Sequence, residues 1–186
     1  YNEEAKVPNW VAYELTSKEA QSQTWPRDKN FYQDPDCTLC QADYSDYRNS
    51  GWTKGHMAPA GDMKWDSLAM HSSCFYTNIC PQAARLNNGG WKSLEETCRN
   101  WATQYGRIWI ACGPIFSDTK NTIGYNEVWV PDYFFKVILL KIGEDYYCGG
   151  YIFTNSEQYT RTICTVDEVE NITNIDFFPL LEDSIE

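Results

Sequence analysis

The chain is predicted to be α+β, a mixed, largely antiparallel sheet with packed helices, and three observations carry that expectation. Apolar residues recur every three or four positions between 89 and 105, three β-rich runs follow one another between 108 and 153, and no βαβ alternation orders them into a parallel sheet. Residues 9–14 (Asn-Trp-Val-Ala-Tyr-Glu) alternate apolar and polar after Pro8, as a half-buried strand does. A polar loop is expected from there to about Tyr47. In 89–105, Trp91, Leu94, Cys98, Trp101, Ala102 and Tyr105 share one face of a helix of about four turns. Gly106 then ends it, since glycine tolerates the left-handed C-cap conformation. Strands are expected at 108–112, 134–140 and 146–153, separated by the Gly113-Pro114 turn and by Gly143. Thr165 with Glu168 forms a capping box, which predicts a short helix from Val166 that turns Val169 and Ile172 inward.

A length of 186 residues without repeats or a Ser/Gly/Pro linker reads as one domain, 1–186, long enough to bury a core. No apolar run approaches the roughly 20 residues that span a bilayer, so no membrane span is expected. The chain opens Tyr-Asn-Glu-Glu with no Met, basic stretch or apolar stretch, so an export signal is expected to have been removed. Eight cysteines, an even number, suit an oxidising compartment; an extracellular or periplasmic address with disulfide bonds is expected, against a reducing cell with buried thiols. Eight cysteines allow about 105 pairings, so connectivity is not readable.

The net charge of −11 argues at first against a polyanionic partner, because sequence-independent nucleic-acid binding rests on Lys and Arg. Its distribution weakens that argument. Asp167, Glu168, Glu170, Asp176, Glu182, Asp183 and Glu186 crowd the last 21 residues, which contain no Lys or Arg. Between positions 48 and 99, Arg48, Lys54, Lys64, Arg85, Lys92 and Arg99 outnumber Asp62, Asp66, Glu95 and Glu96. An anionic ligand fits there.

Two histidines exclude metal sites built on three imidazoles, and Cys37-Thr-Leu-Cys40 has no second pair to complete a four-cysteine zinc site. No thioredoxin-like βαβ pattern surrounds that pair either. His56 lies between Gly55 and Gly61, with Lys54 two residues away; an adjacent cation lowers an imidazole pKa and favours the neutral base. A partly buried structural histidine is the plainer reading, and His71 is read as structural or surface. Asn87, where the predicted helix begins, and Glu95, two turns on, are hard oxygen ligands suited to Mg²⁺. The plainer readings are an N-cap at Asn87 or Asn88 and a surface ion pair between Glu95 and Arg99, four residues apart. The Trp and Tyr content also admits a carbohydrate-binding module, although aromatic richness usually reflects packing.

Lys-Gly-His-Met-x-x-x-Gly at 54–61, Asn-x-x-Pro-Gln at 78–82 and Leu-Asn-x-Gly-x-Trp-x-x-Leu-Glu at 86–95 occur together in that order. By these motifs the chain resembles the DNA/RNA non-specific endonucleases of the ββα-metal (His-Me finger) group, the family of endonuclease G. Weaker echoes at Asn9-Trp-Val-Ala-Tyr, Gly113-Pro, Phe134-Phe-Lys-Val and Thr165-Val-Asp-Glu extend it over most of the chain. The resemblance implies an embedded ββα-metal motif and cleavage of both DNA and RNA with one Mg²⁺, Mn²⁺ substituting. It implies that His56 is the general base, Asn87 the direct metal ligand, and Glu95 the carboxylate that acts on the metal through water. Arg99, Lys54 and Arg27 match phosphate-contacting, catalytic cations, and Asn78 a residue that supports the substrate site. Thr53-Lys54 stands where the family usually has Asp-Arg, keeping a charge but losing a planar fork. A catalytically lapsed nuclease fold that binds nucleic acid or protein is the alternative, and a monomer and a homodimer are both compatible with the sequence.

Overall fold

The structure, a computed structural model, describes residues 1–118 and 120–181. Glu182, Asp183 and Glu186 of the acidic tail lie outside the described residues. In chain order the elements are β1 (Val11–Thr16), α1 (Ser17–Ala20), α2 (Tyr44–Tyr47), β2 (Thr53–His56), α3 (Ser67–Ser73), β3 (Ile79–Gln82), α4 (Ala84–Leu86), α5 (Lys92–Tyr105), β4 (Arg107–Ile115), β5 (Thr122–Ile123), β6 (Val128–Trp129), β7 (Tyr133–Ile142), β8 (Asp145–Thr154), β9 (Arg161–Cys164) and α6 (Val166–Thr173). A wide π-helical turn, Asn87–Trp91, joins α4 to α5.

The frame is a five-stranded antiparallel sheet in the order β1-β4-β7-β8-β9. Its two faces follow from the twofold period of a strand. On β7, Phe134 and Ile138 pack with Trp91, Leu94, Cys98 and Ala102 of the π turn and α5. Phe135 and Val137, one residue out of phase, pack with Val166, Val169 and Phe177 of the α6 side. The helices therefore sandwich the sheet. α5 ends at Gly106, whose φ of 94° requires glycine. α6 starts at the expected capping box, Thr165 receiving the Glu168 amide and Glu168 receiving the Thr165 amide. One expectation fails: Val169 is buried but Ile172 is half exposed.

The expected polar loop contains α1, α2 and a long irregular connection. Trp25 N–H donates to Lys64 O at 2.9 Å, Tyr32 N–H to Cys74 O at 3.1 Å and Tyr76 N–H to Tyr32 O at 2.9 Å. These bonds tie the connection down beside α3 and bring Arg27 and Phe31 to the site. Outside the main sheet, β2 and β3 pair antiparallel, His56 opposite Ile79. The chain then runs through α4 and the π turn into α5, completing a ββα unit.

Candidate active site

The ββα unit brings together residues that are far apart in sequence. Gly55 faces Gln82 so closely that any Cβ would collide with the glutamine side chain, so glycine is what lets the two strands close. His56 at the end of β2 is consequently buried, 6% exposed, with the Phe31 ring 5.3 Å from its own. Trp91 of the π turn donates its indole N–H to the His56 carbonyl at 3.2 Å, tying strand to helix. Burial, and then the charge of Arg27, push the His56 pKa down to about 3. The cation responsible is Arg27 and not the adjacent Lys54 suggested by the sequence.

Arg27, His56, Asn87, Glu95 and Arg99 line one pocket of about 140 Å³. Asn87 donates its amide nitrogen to Thr53 Oγ1 at 2.9 Å and to Lys54 O at 3.4 Å. With the nitrogen held on β2, the amide oxygen is the end left for a ligand. Asn87 does not start α5 as an N-cap; its backbone is helical and it closes α4, and the chain kinks at Gly89 before α5 begins. Thr53, one of the two departures from the family signature, is thus the anchor of the proposed metal ligand. Glu95 on α5 is partly buried, and burial pushes its carboxyl up to about 7 against the pull of Lys136.

Arg99 does not pair with Glu95 on the surface. Its Nη1 lies 2.6 Å from Oδ1 of the fully buried Asp62, whose Oδ2 accepts from Tyr13 OH at 2.8 Å. Burial opposes the Arg99 charge, but Asp62 outweighs it and the guanidinium stays protonated. Gly61 leaves room for this group: a Cβ there would lie 2.8 Å from Nη1. Asp62 and Lys136 are members of the site that sequence reasoning missed. Asp62 directly follows the Gly that closes the histidine motif, and Lys136 interrupts an apolar strand at an inward position; both are signals. Lys136 is 0% exposed, with Nζ 4.3 Å from the centroid of the Trp91 ring.

Lys54 and Asn78 stand apart from the pocket lining. The Lys54 ammonium lies among three rings, 5.1 Å from the Phe31 centroid, 5.3 Å from Tyr44 and 5.4 Å from Tyr47. Asn78 is buried, its amide donating to Ala58 O at 2.9 Å and Ser73 O at 2.8 Å while Oδ1 accepts from Ala58 N–H at 2.9 Å. It braces the loop after His56 rather than reaching toward a substrate. His71 is at the surface, 3.7 Å from Asp28.

The donor set fits a hard cation that keeps most of its water. An amide oxygen and one carboxylate are hard ligands, and among the described residues no group of three His, Cys, Asp or Glu could enclose a metal. Zinc, which favours such a closed set, fits poorly. The expected disulfide framework is absent from Cys37, Cys40, Cys74, Cys80, Cys98, Cys112 and Cys164, which carry free thiols. Cys80, Cys98 and Cys112 are used instead as small buried core residues.

Residues 1–184 match the family of DNA/RNA non-specific endonucleases. The mitochondrial nuclease EXOG of Danio rerio is 30% identical over 98% of this chain and 59% of its own length. The mitochondrial endonuclease G of Homo sapiens is 27% identical over 96% of this chain and 66% of its own. This chain therefore spans about three fifths to two thirds of the length of these relatives. A crystal structure of the EndoG/EndoGI complex superposes with a TM-score of 0.90 at 25% identity, covering 100% of this chain and 84% of that one, and the α+β expectation holds. The expectation of an extracellular or periplasmic address is overturned: these relatives are mitochondrial proteins, and the seven cysteines just named carry free thiols. Among the described residues no helix is long and apolar enough to cross a membrane. The histidine, asparagine and glutamate motifs converge on one pocket of a ββα unit, and the match runs nearly end to end: the chain belongs to the DNA/RNA non-specific endonuclease family.

Proposed function

We propose that residues 1–186 act as one nuclease domain that hydrolyses internal phosphodiester bonds of both DNA and RNA, with His56 as general base. The observation that carries this reading is the convergence of a neutral imidazole, two hard oxygen ligands and two guanidinium groups on one pocket of about 140 Å³. A free ring nitrogen of His56 takes the proton of the attacking water. Mg²⁺, held by the Asn87 oxygen and through water by Glu95, with Mn²⁺ as substitute, would relieve charge on the phosphate. Arg99 and Arg27 supply fixed positive charge where negative charge develops in the transition state. Arg99 does so from a rigid mount, since Asp62, itself held by the Tyr13 hydroxyl, binds its other side. Lys54, in its aromatic cage, adds positive potential beside the pocket, and Asn78 acts through the loop it braces. Contacts to phosphate carry no base information, so sequence preference is weak. A mitochondrial address, as in the names of the relatives, is the one we extend to this chain.

The test is digestion of supercoiled plasmid and of total RNA with Mg²⁺, Mn²⁺ or EDTA, beside His56→Ala prepared identically. Metal-dependent degradation of both substrates is expected, with His56→Ala slower by about 10²- to 10⁴-fold. Intact substrates under every metal would instead make the fold a lapsed binding module.

A further inference from the structure

Arg27 lines two recesses, the catalytic pocket and a wider cleft of about 560 Å³ beside it. The second cleft lies between the connection at 25–30 and α3, with Trp25 and Lys29 on one wall and Met70 and His71 on the other. Trp25 is held in place without being packed away. Its backbone N–H donates to Lys64 O at 2.9 Å, the same carbonyl accepts from Ser22 Oγ at 3.2 Å, and Lys64 Nζ donates to Gln23 Oε1 at 2.6 Å. Pro26 fixes the chain on the other side. The residue nevertheless stays 44% exposed. A singly exposed tryptophan needs no explanation by itself. What marks Trp25 is its place on the wall of a cleft that shares an arginine with the catalytic pocket, on a segment with little freedom left to lose on binding.

The charges beside the ring indicate the ligand. Among the described residues Arg27 and Lys29 enter no ion pair. Asp28, between them, is occupied elsewhere: Oδ1 accepts from Asn30 N–H at 3.0 Å and Oδ2 lies 3.7 Å from His71 Nδ1. An aromatic ring between two uncompensated cations matches a nucleic-acid strand, in which flat bases alternate with charged phosphates. We propose that this cleft is a nucleobase subsite: while one phosphate sits on Arg27 in the catalytic pocket, the neighbouring unpaired base stacks on Trp25 and the next phosphate meets Lys29. The inference rests on the nuclease reading of the catalytic pocket, and it adds the route by which the strand leaves that pocket. A base inside a duplex must be unstacked and unpaired before it can enter such a site, so the subsite favours single strands over duplex DNA. Every base has a π-face, so this preference carries no sequence.

The test is binding in EDTA, where metal-dependent turnover stops, with two fluorescein-labelled probes. One is a short oligothymidylate; the other is an abasic strand of the same length, with the same phosphates and no bases. The protein should bind the oligothymidylate more tightly than the abasic strand. Trp25→Ala should weaken oligothymidylate binding by roughly 5- to 150-fold, the value of one stacked base, and leave abasic binding unchanged. Trp25→Phe, which keeps a ring, should retain most of the affinity. Trp10 is 51% exposed but lines a cavity with Phe135 and Ile172 on the far face of the sheet, so Trp10→Ala should alter neither probe. Equal wild-type affinity for the two probes, unchanged oligothymidylate binding in Trp25→Ala, or an equal loss on both probes would overturn the subsite. If Trp25→Ala does not fold, Trp25→Leu, which keeps apolar bulk without a flat face, takes its place with the same expectation. With Mg²⁺, Trp25→Ala should raise KM on single-stranded DNA with kcat held; a fall in kcat alone would contradict a stacking role. An inactive wild-type protein would remove the nuclease reading, while the probes in EDTA judge the subsite separately.

Discussion

The two faces of the five-stranded sheet are built from the same strands and solve different problems. Toward α6, Ala111, Phe135 and Val137 meet Val166, Val169 and Phe177 in an apolar layer with the Phe135 and Phe177 rings 5.4 Å apart. Toward the ββα unit, Phe134 and Ile138 alternate with a buried lysine, and Asp62, Glu95 and Arg99 stand nearby. Burying charge is unfavourable unless each group is paired, so the second face stabilises less per residue than the first. What it gains is a set of charges that water cannot reorganise, which is what phosphate chemistry requires. The difference shows that one strand with a period of two residues can serve stability on one side and reactivity on the other.

The largest test of that contrast is Asp62→Ala. It leaves the Arg99 guanidinium half-buried without its 2.6 Å partner and should cost about 3–5 kcal/mol in urea unfolding, together with most of the nuclease activity. A loss below about 1 kcal/mol would mean that the polar face is not held by this pair.

Next comes pH. The folded His56 pKa of about 3 lies below its ordinary 6.5, so the unfolded chain binds the extra proton first. This contribution to stability is complete above pH 6.5 and is lost as pH falls toward 3. His56→Gln should therefore flatten the acid side of a plot of stability against pH; an unchanged slope would show that His56 is not buried neutral.

The apolar face should respond in stability alone. Val169→Ala is expected to cost roughly 1–2 kcal/mol and to leave kcat unchanged, since it removes methyl groups far from the charged cluster. A changed kcat would couple the two faces. Smallest of all, Ile172→Ala should shift stability by less than about 0.5 kcal/mol, because that side chain is half exposed.

That last residue shows where reading the sequence stops. The capping box at Thr165 places the helix start correctly, and Val169 is buried as expected, together with Val166. A step of three residues lags one helical turn, however, so after two steps Ile172 has drifted about 120° from Val166 and leaves the contact face. Local spacing identifies a helix better than it identifies the neighbours of that helix. The pairing of Glu95 with Arg99 fails for a related reason: four residues apart permits a contact, but Asp62, 37 positions away, offers a buried and shorter one.

By itself the sequence determined the strands β4, β7 and β8 in their order, the α5 face, the start of α6, the glycines at 55, 61 and 106, and the motif positions of His56, Asn87 and Glu95; it missed β5, β6 and β9 and took Gly113-Pro114 for a turn, where β4 runs through to Ile115. The features it determined are matters of local period, backbone freedom and residue type, all written within one or two turns of chain. Only the tertiary structure decided that Arg27 arrives from a distant connection, that Lys54 turns its ammonium into aromatic rings and that Asp62 anchors Arg99. Those contacts join segments whose approach depends on how the connection before α2, the ββα unit and the sheet pack together. The energies of these approaches are burial and electrostatic terms summed over many neighbours, and no spacing rule in one dimension contains them.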